Sequence, residues 1–322
     1  MKQDIINSVL AFESTKINIP PARVGLEDYV GSTPLLPLNQ IFGSNFSHVQ
    51  LFAKAEWFNP GGSIKDRPAL NIMRTAIADG RLESGRHLLD ATSGNMGIAY
   101  ATLGAAMHVP VTLTIPSNAG PERLSILRSL GAELILTDPL EGTDGAILKA
   151  RELMEKYPDR YYYANQYDNP ANWGAHYMTT GPEIVQQTAG RITHFVAGLG
   201  TSGTMTGVGR YLCQYNPEIE LIAVQPDSPF HGLEGLKHME TAIQPAIYDP
   251  SLPKQTLEIS TEDAYQMVRT LARNEGLFVG ISSGANALAA KILAEEIGEG
   301  LVVTVFPDAG YKYLSDKALW DE

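Results

Sequence analysis

The stretch Asn59-Pro60-Gly61-Gly62-Ser63-Ile64-Lys65-Asp66-Arg67 links an apolar run with strand-like alternation, residues 49–57, to a helix-patterned segment, residues 63–81. Lys65 is therefore predicted in the first turn of a helix, directly after a glycine-rich bend. A helix N-terminus carries partial positive charge and disfavours a cation. A lysine there is favoured as a neutral amine, the form that makes a Schiff base with an aldehyde. An ordinary charged first turn containing Asp66 and Arg67 is the alternative.

The rest of the chain alternates in the same way between short apolar runs and helical patterns. The strand-like runs are residues 49–56, 88–91, 111–115, 133–137, 193–197, 221–225 and 301–306. Ser260 and Asp263 form a capping pair before a helix that ends at Gly276. This alternation predicts an α/β fold of mostly parallel, twisted sheets flanked by helices. A length of 322 residues favours two domains, divided near residues 166–170, and the irregular segment 227–253 is predicted as a mobile loop or active-site rim.

Bulk composition is that of a soluble globular protein, with 44% hydrophobic and 19% charged residues. A net charge of −12 argues against nucleic acid as a partner, because nucleic-acid binding needs a basic face. No apolar run approaches the roughly 18 residues of a membrane helix, and residues 1–20 lack a signal-peptide core, so the cytoplasm is predicted. The single cysteine, Cys213, excludes an intrachain disulfide and a cysteine metal cluster. No metal site is predicted.

Three glycine-rich turns follow predicted strands, where parallel sheets bind their ligands. Residues 91–97 offer hydroxyls and a helix N-terminus, which suit a carboxylate or a simple helix cap equally well. Residues 198–207, Gly-Leu-Gly-Thr-Ser-Gly-Thr-Met-Thr-Gly, favour a phosphate cradle, because glycines let backbone N–H groups approach an oxyanion. Residues 280–285 precede a helix predicted over residues 286–297, and they place Ser282 at its start, where serine is most often a cap.

The second turn also matches G-x-G-x-x-G, the fingerprint of dinucleotide sites. Such a site needs an acidic residue at the end of the next strand to hold the ribose. That strand ends in Gln225-Pro226, and Asp227 lies beyond the proline. The companion residue is absent, so a nicotinamide-dependent oxidoreductase is the weaker alternative.

A lysine at one turn and a phosphate cradle at another fit pyridoxal phosphate, which has an aldehyde for the first and a phosphate for the second. With these motifs in place the chain resembles the fold-type II pyridoxal-phosphate enzymes, and within them the cysteine synthase family, especially cysteine synthase B and the O-phosphoserine-dependent sulfhydrylases. Further motifs that carry the resemblance are residues 31–35, 121–123 with 130–132, 165–172, 179–183 and 310–315.

The resemblance implies a role for each matching position. Lys65 forms the internal aldimine and shuttles the α-proton of the substrate, and Asn95 binds the 3′ oxygen of the ring. The phosphate is held by Gly200, Thr201, Ser202, Gly203 and Thr204. The substrate carboxylate is held by Thr92, Ser93 and Gln166, and Ser282 faces the pyridine nitrogen. It also implies a homodimer with two domains, a smaller mobile one of residues 41–165 and a larger phosphate-binding one of residues 1–40 with 166–322.

The implied reaction is a β-replacement in two halves. O-acetylserine or O-phosphoserine loses its leaving group to give an aminoacrylate, and sulfide or another small sulfur donor adds to yield L-cysteine. Ser282 fits this course, since a serine hydroxyl does not force protonation of the ring nitrogen and a long-lived quinonoid is disfavoured.

Two departures from the family pattern keep alternatives open. Met96 replaces a threonine and is a pattern associated with β-cyanoalanine synthases. Lys237 stands where phosphoserine-type relatives carry an arginine that meets the substrate phosphate; a solvated surface lysine is the other interpretation. Cystathionine β-synthase activity and a catalytically silent binding protein of the same fold also remain alternatives.

Overall fold

A computed structural model describes residues 25–40, 48–83, 85–92 and 94–320. Within these residues lie ten strands: β1 (Leu35–Pro37), β2 (Val49–Ala55), β3 (His87–Ala91), β4 (Val111–Pro116), β5 (Glu133–Thr137), β6 (Tyr161–Tyr163), β7 (His194–Gly198), β8 (Glu220–Pro226), β9 (Gln255–Ile259) and β10 (Gly300–Phe306). The helices in the same residues are α1 (Asp66–Ala78), α2 (Asn95–Met107), α3 (Pro121–Ser129), α4 (Gly142–Lys156), α5 (Pro170–Met178), α6 (Thr180–Gln187), α7 (Gly203–Tyr215), α8 (Thr261–Thr270), α9 (Ile281–Glu296) and α10 (Lys317–Trp320).

The strands form two sheets, as the strand–helix alternation predicts. One sheet has six strands in the order β1-β2-β10-β7-β8-β9, and the other has four in the order β5-β4-β3-β6. All neighbouring strands are parallel except β1, which runs antiparallel to β2 at the edge. The predicted α/β class with mostly parallel sheets is confirmed.

The larger sheet is covered on both faces, which explains the uninterrupted apolar sequence of its central strands. In β10, Val302 and Phe306 pack into the core beneath α8 and α9. Val303 and Val305 alternate with them and pack into the core beneath α7 on the opposite face. A two-residue period places successive side chains on opposite faces, so one strand serves both cores.

All seven strand-like runs form strands, whereas β1, β6 and β9 were missed. Each of the three lies at the edge of its sheet. β1 and β6 are three residues long, and most of β9 is exposed, so neither length nor an apolar pattern marks them. β6 is buried but too short to show a period, and the exposed residues of β9 leave no hydrophobic signature.

The predicted bounds of two helices needed correction. The segment 63–81 is helical only over Asp66–Ala78, which leaves Lys65 as the residue that precedes the helix. The helix predicted from residue 286 begins at Ile281, so Ser282 lies inside its first turn rather than at the capping position, which Gly280 occupies. The Ser260 cap is observed, with its hydroxyl accepting a hydrogen bond from the Asp263 N–H at 3.1 Å.

The first strand of the predicted smaller domain, β2, belongs to the larger sheet. β2 pairs with β10 along its whole length, from Val49 opposite Gly300 to Ala55 opposite Phe306, so it belongs to the larger sheet. The predicted boundary at residue 41 therefore does not separate the sheets, because β3 is the first strand of the smaller one. The division into a mobile domain 41–165 and a domain of 1–40 with 166–322 stays a prediction.

No helix within the described residues is both long enough and apolar enough to span a membrane. The same part of the chain contains no group of three or more His, Cys, Asp or Glu side chains placed to hold a metal ion.

Candidate active site

A cavity of about 650 Å³ lies where β3, β7 and β10 end. Eleven of the twelve predicted site residues line it: Lys65, Thr92, Asn95, Gln166, Gly200, Thr201, Ser202, Gly203, Thr204, Lys237 and Ser282. The twelfth, Ser93, lies outside the described residues. The fold thus gathers positions from 65 to 282 where strands of both sheets end, as expected for ligand sites of parallel sheets.

The bend before Lys65 is held by the carboxylate of the next residue. Asp66 accepts hydrogen bonds from the N–H groups of Gly61 at 2.7 Å and Ser63 at 3.1 Å. Ile64 donates its N–H to the carbonyl of Pro307 at 2.8 Å, which fastens the bend to the end of β10. Burial raises the pKa of Asp66 to about 6, against the opposing effect of those two N–H donors. These contacts fix the backbone that carries Lys65.

The surroundings of Lys65 favour its neutral amine. Burial lowers the pKa of Lys65, Asp308 and Glu56 raise it in part, and the positive charge of Lys312 lowers it again. Desolvation disfavours the charged form of an amine because the cavity replaces water with less polar groups. This agrees with the sequence argument, although the helix begins at Asp66, three residues later than predicted.

Asn95 opens α2 with both ends of its side-chain amide engaged. Its Nδ2 donates to Asp308 Oδ2 at 2.8 Å, and its Oδ1 accepts from Lys312 Nζ at 2.7 Å. Both partners are buried and were missed by the sequence analysis. Lys312 belongs to the 310–315 motif, but nothing in the sequence shows that its ammonium turns inward.

The loop of residues 92–97 shows the helix-cap arrangement that was one of its two interpretations. The Thr92 hydroxyl oxygen accepts from the N–H groups of Gly94 at 3.0 Å and Gly97 at 3.1 Å. The hydroxyl hydrogen of Thr92, which lines the cavity, remains available to donate. Gln166 is bound to the same loop, because its Nε2 donates to the Ala91 carbonyl at 2.7 Å. The carboxylate-binding role of this loop stays a prediction.

Residues 200–204 are called the phosphate cradle. At two of its glycines, neighbouring atoms lie so close to the backbone that a side chain would overlap them. A Cβ at Gly200 would lie 2.2 Å from the Gly235 carbonyl oxygen, and one at Gly203 would lie 2.0 Å from Asn172 Oδ1. Ser202 has φ +62°, a left-handed conformation, in the turn that leads directly into α7. Concave N–H groups at a helix N-terminus are the donor set that a phosphate requires. The cradle therefore fits the phosphate of pyridoxal phosphate.

Lys237 is not a solvated lysine, since its side chain is only 12% exposed. Its ammonium lies 3.7 Å from Asp144 Oδ1 and 5.0 Å from the centre of the Tyr167 ring. The structure contradicts the surface interpretation; a contact with substrate stays a prediction. Met96, the other departure, is 3% exposed and packs in the core of the smaller sheet while touching the cavity.

A further ion pair in the cavity wall was missed by the sequence analysis. Arg123 of α3 binds Glu234 of the irregular segment 227–253, and its guanidinium lies 5.1 Å from the centre of the Tyr313 ring. The segment thus forms one side of the cavity, as its predicted role as an active-site rim requires.

The dinucleotide interpretation finds no support at the end of β8. Gln225 lies there instead of an acidic residue, and its Nε2 donates to Glu258 Oε1 of β9 at 3.2 Å. Its Oε1 accepts from the Met239 N–H at 3.4 Å, so both ends of the amide are used within the protein.

Comparison with known proteins agrees with the geometry. A family model described as pyridoxal-phosphate dependent enzyme matches residues 26–308. The cysteine synthase of Aquifex aeolicus is 52% identical over 306 residues, covering 94% of each chain. Cysteine synthase B of Escherichia coli is 39% identical over 92% of this chain and 96% of its own.

The crystal structure of cysteine synthase from Entamoeba histolytica gives a TM-score of 0.89 at 34% identity, covering 94% of this chain and 92% of its own. The oxidoreductase alternative is therefore wrong. The chain belongs to the pyridoxal-phosphate dependent enzymes and, within them, to the cysteine synthase family.

Proposed function

We propose that this protein is a cysteine synthase, which replaces the activated β-oxygen group of O-acetylserine with sulfide to yield L-cysteine. One observation carries the proposal: a lysine whose amine is favoured as neutral shares a cavity with a phosphate cradle and a hydroxyl-bearing loop. The family relatives named cysteine synthase support the same reaction class.

Pyridoxal phosphate, when bound, supplies an aldehyde for an amine and a ring that withdraws electrons from the α-carbon of an amino acid. The chain's own residues do the rest. The N–H groups of residues 200–204 hold the phosphate, and Asn95 directs an amide hydrogen into the cavity. Thr92 and Gln166, which both line the cavity, are proposed to hold the substrate carboxylate and so orient the α-carbon toward Lys65.

Lys65 is proposed as the group that carries the α-proton. A neutral amine accepts a proton, and burial favours that form of Lys65 by lowering its pKa. Its flexible stem lets the same nitrogen hold the proton beside the cavity until it is returned.

Ser282 is proposed to face the ring nitrogen from the first turn of α9, where it is 6% exposed. A hydroxyl donates to a neutral ring nitrogen, whereas a carboxylate would hold that nitrogen protonated. This choice favours loss of the β-group as the α-proton leaves, which is the chemistry of β-replacement.

O-phosphoserine is the second candidate substrate, and Lys237 favours it. The Lys237 side chain is 12% exposed and lines the cavity, so its ammonium can attract the phosphate leaving group of this substrate. Asp144 competes for that ammonium, and lysine lacks the bidentate fork of arginine. O-acetylserine, which needs no cation at this point, is therefore placed first.

The proposal is tested on the cofactor-loaded protein by visible absorption and product analysis. O-acetylserine should change the cofactor spectrum, and sulfide should restore it while L-cysteine accumulates. Cyanide and homocysteine are tested in place of sulfide, because β-cyanoalanine and cystathionine are the products of the alternative activities. O-phosphoserine is tested in the same way. If neither ester alters the spectrum of the cofactor-loaded protein, the proposal is refuted and a catalytically silent binding protein is favoured.

Assembly and location are proposed on the family resemblance. A homodimer in the cytoplasm is expected, and light scattering of the purified chain measures its mass in solution. Movement of residues 41–165 on substrate binding is tested by comparing hydrogen exchange with and without O-acetylserine.

A further inference from the structure

Lys312 is a fully enclosed cation beside the cavity, 2% exposed. Its ammonium donates to Asn95 Oδ1 at 2.7 Å, to the Gly62 carbonyl at 3.0 Å and to the Gly61 carbonyl at 3.4 Å. An ammonium has three hydrogens, so neutral oxygens satisfy all of them. Taking a charge out of water is costly, and such groups are kept where their position matters.

Two of those oxygens belong to the bend that carries Lys65. The Gly61 and Gly62 carbonyls precede Lys65 by four and three residues, so Lys312 ties the bend to the segment after β10. Gly62 has φ +75°, a conformation that turns its peptide inward without steric cost for glycine.

The third oxygen belongs to an amide with an anion at its other end. Asn95 Nδ2 donates to Asp308 Oδ2 at 2.8 Å, and that oxygen also accepts from the Tyr313 hydroxyl at 2.8 Å. Asp308 is fully buried, and its other oxygen, Oδ1, has no hydrogen-bond partner among the described residues. The Asp308 carboxylate is therefore a buried acceptor for the Asn95 amide and the Tyr313 hydroxyl, not a surface charge.

An amide between a cation and an anion has one favourable orientation, because its oxygen must face the ammonium and its nitrogen the carboxylate. We propose that Lys312 and Asp308 are positioning residues that clamp the Asn95 amide from both ends and so direct its second Nδ2 hydrogen into the cavity. The clamp rests on the proposed function in one respect, the binding of pyridoxal phosphate at this site.

Without the clamp, Asn95 can rotate its amide and present an oxygen to the cavity. An acceptor there repels the oxygen of the cofactor ring that a donor would bind, so affinity for the cofactor falls. The two charges also act on Lys65 in opposite senses, because Lys312 disfavours its protonation and Asp308 favours it.

The test uses two variants, Lys312→Met and Asp308→Asn, each of similar size to the native residue. Lys54→Met is the matched control: Lys54 is equally buried, binds the Thr33 carbonyl at 2.6 Å, and does not line the cavity. Cofactor affinity is measured by equilibrium dialysis of the full chain. The pKa of Lys65 is measured in the cofactor-free chain from the pH dependence of its labelling by trace acetic anhydride, read by peptide mass spectrometry.

Both clamp variants should weaken cofactor binding about tenfold or more, the usual effect of losing a hydrogen bond to a charged group. The pKa of Lys65 should rise in Lys312→Met and fall in Asp308→Asn. Lys54→Met should lower stability and change neither quantity. General damage to the fold would move the two clamp variants in the same direction.

Unchanged cofactor affinity in both clamp variants, or shifts of the Lys65 pKa in the same direction, would overturn the proposal. If Lys312→Met does not fold, Asp308→Asn and Tyr313→Phe carry the affinity test, since each weakens the anionic end. Opposite pKa shifts in a protein that makes no cysteine would refute the proposed reaction and leave the clamp standing.

Discussion

Gly200→Ala is the substitution whose effect follows most directly from the geometry of the cavity. The added Cβ would lie 2.2 Å from the Gly235 carbonyl oxygen, more than about 1 Å inside normal contact. The obstacle is backbone, so the strain cannot be relieved by rotating a side chain. One of the two loops must move, and residue 200 begins the phosphate cradle.

The size of the effect can be worked from the lost contacts. A hydrogen bond to a charged group contributes about 1.5–3 kcal/mol, and displacing the first turn of the cradle removes one or two of them. A loss of about 3 kcal/mol weakens pyridoxal phosphate binding about 100-fold. The overlap also lowers the free energy of unfolding by about 1–3 kcal/mol, as overpacking generally does.

Three glycine-to-alanine variants are compared for cofactor affinity and stability. Gly298→Ala is the control, because nothing lies within 4 Å of the added Cβ. Gly203→Ala should fall between the two, since its obstacle at 2.0 Å is a side-chain atom, Asn172 Oδ1, rather than backbone. Equilibrium dialysis gives the affinity and urea denaturation gives the stability. A Gly200→Ala protein that binds the cofactor as tightly as Gly298→Ala would refute the cradle.

Three other predictions concern single side chains. Lys65→Ala should retain the fold but lose turnover and covalent attachment of the cofactor, checked by activity and intact mass after borohydride reduction; normal turnover would remove Lys65 from the mechanism. Lys237→Ala should reduce kcat/KM for O-phosphoserine far more than for O-acetylserine, and an equal reduction would assign Lys237 to structure alone. Glu183 has its pKa lowered to about 2, because hydrogen bonds from Arg67 and Lys54 outweigh the raising effect of burial. It therefore stabilises the fold above pH 4.5, by about 3 kcal/mol, and this is lost as the pH falls toward 2. Glu183→Gln should show that loss at pH 7 in urea denaturation, and an unchanged stability would contradict the assignment.

The fold was predictable where burial leaves a pattern in the sequence. β10 and β8 are enclosed by helices and read as continuous apolar runs, whereas β9 is mostly exposed and gives no signal. The placement of β2 with the larger sheet was not predictable, because pairing with residues 300–306 joins segments about 250 residues apart. Local patterns carry no information about which distant strand supplies the hydrogen bonds.

The site residues were likewise predictable only where they leave a local pattern in the sequence. Lys65 and residues 200–204 were found because a cation at a helix start and closely spaced glycines are local features with a chemical meaning. Asp308 and Lys312 were missed because an aspartate and a lysine are ordinary in sequence and become informative only when buried. The burial of Lys237 likewise depends on Tyr167 and Asp144 closing over it.

The sequence by itself determined the α/β class and the cofactor, since the strand–helix alternation, the lysine turn and the glycine-rich turn are local patterns. The tertiary structure alone decided how those residues are held. The Asn95 amide takes its orientation from a cation and an anion more than 200 residues away in the chain. Such contacts depend on which segments the two sheets bring together, and packing, not local propensity, sets that arrangement.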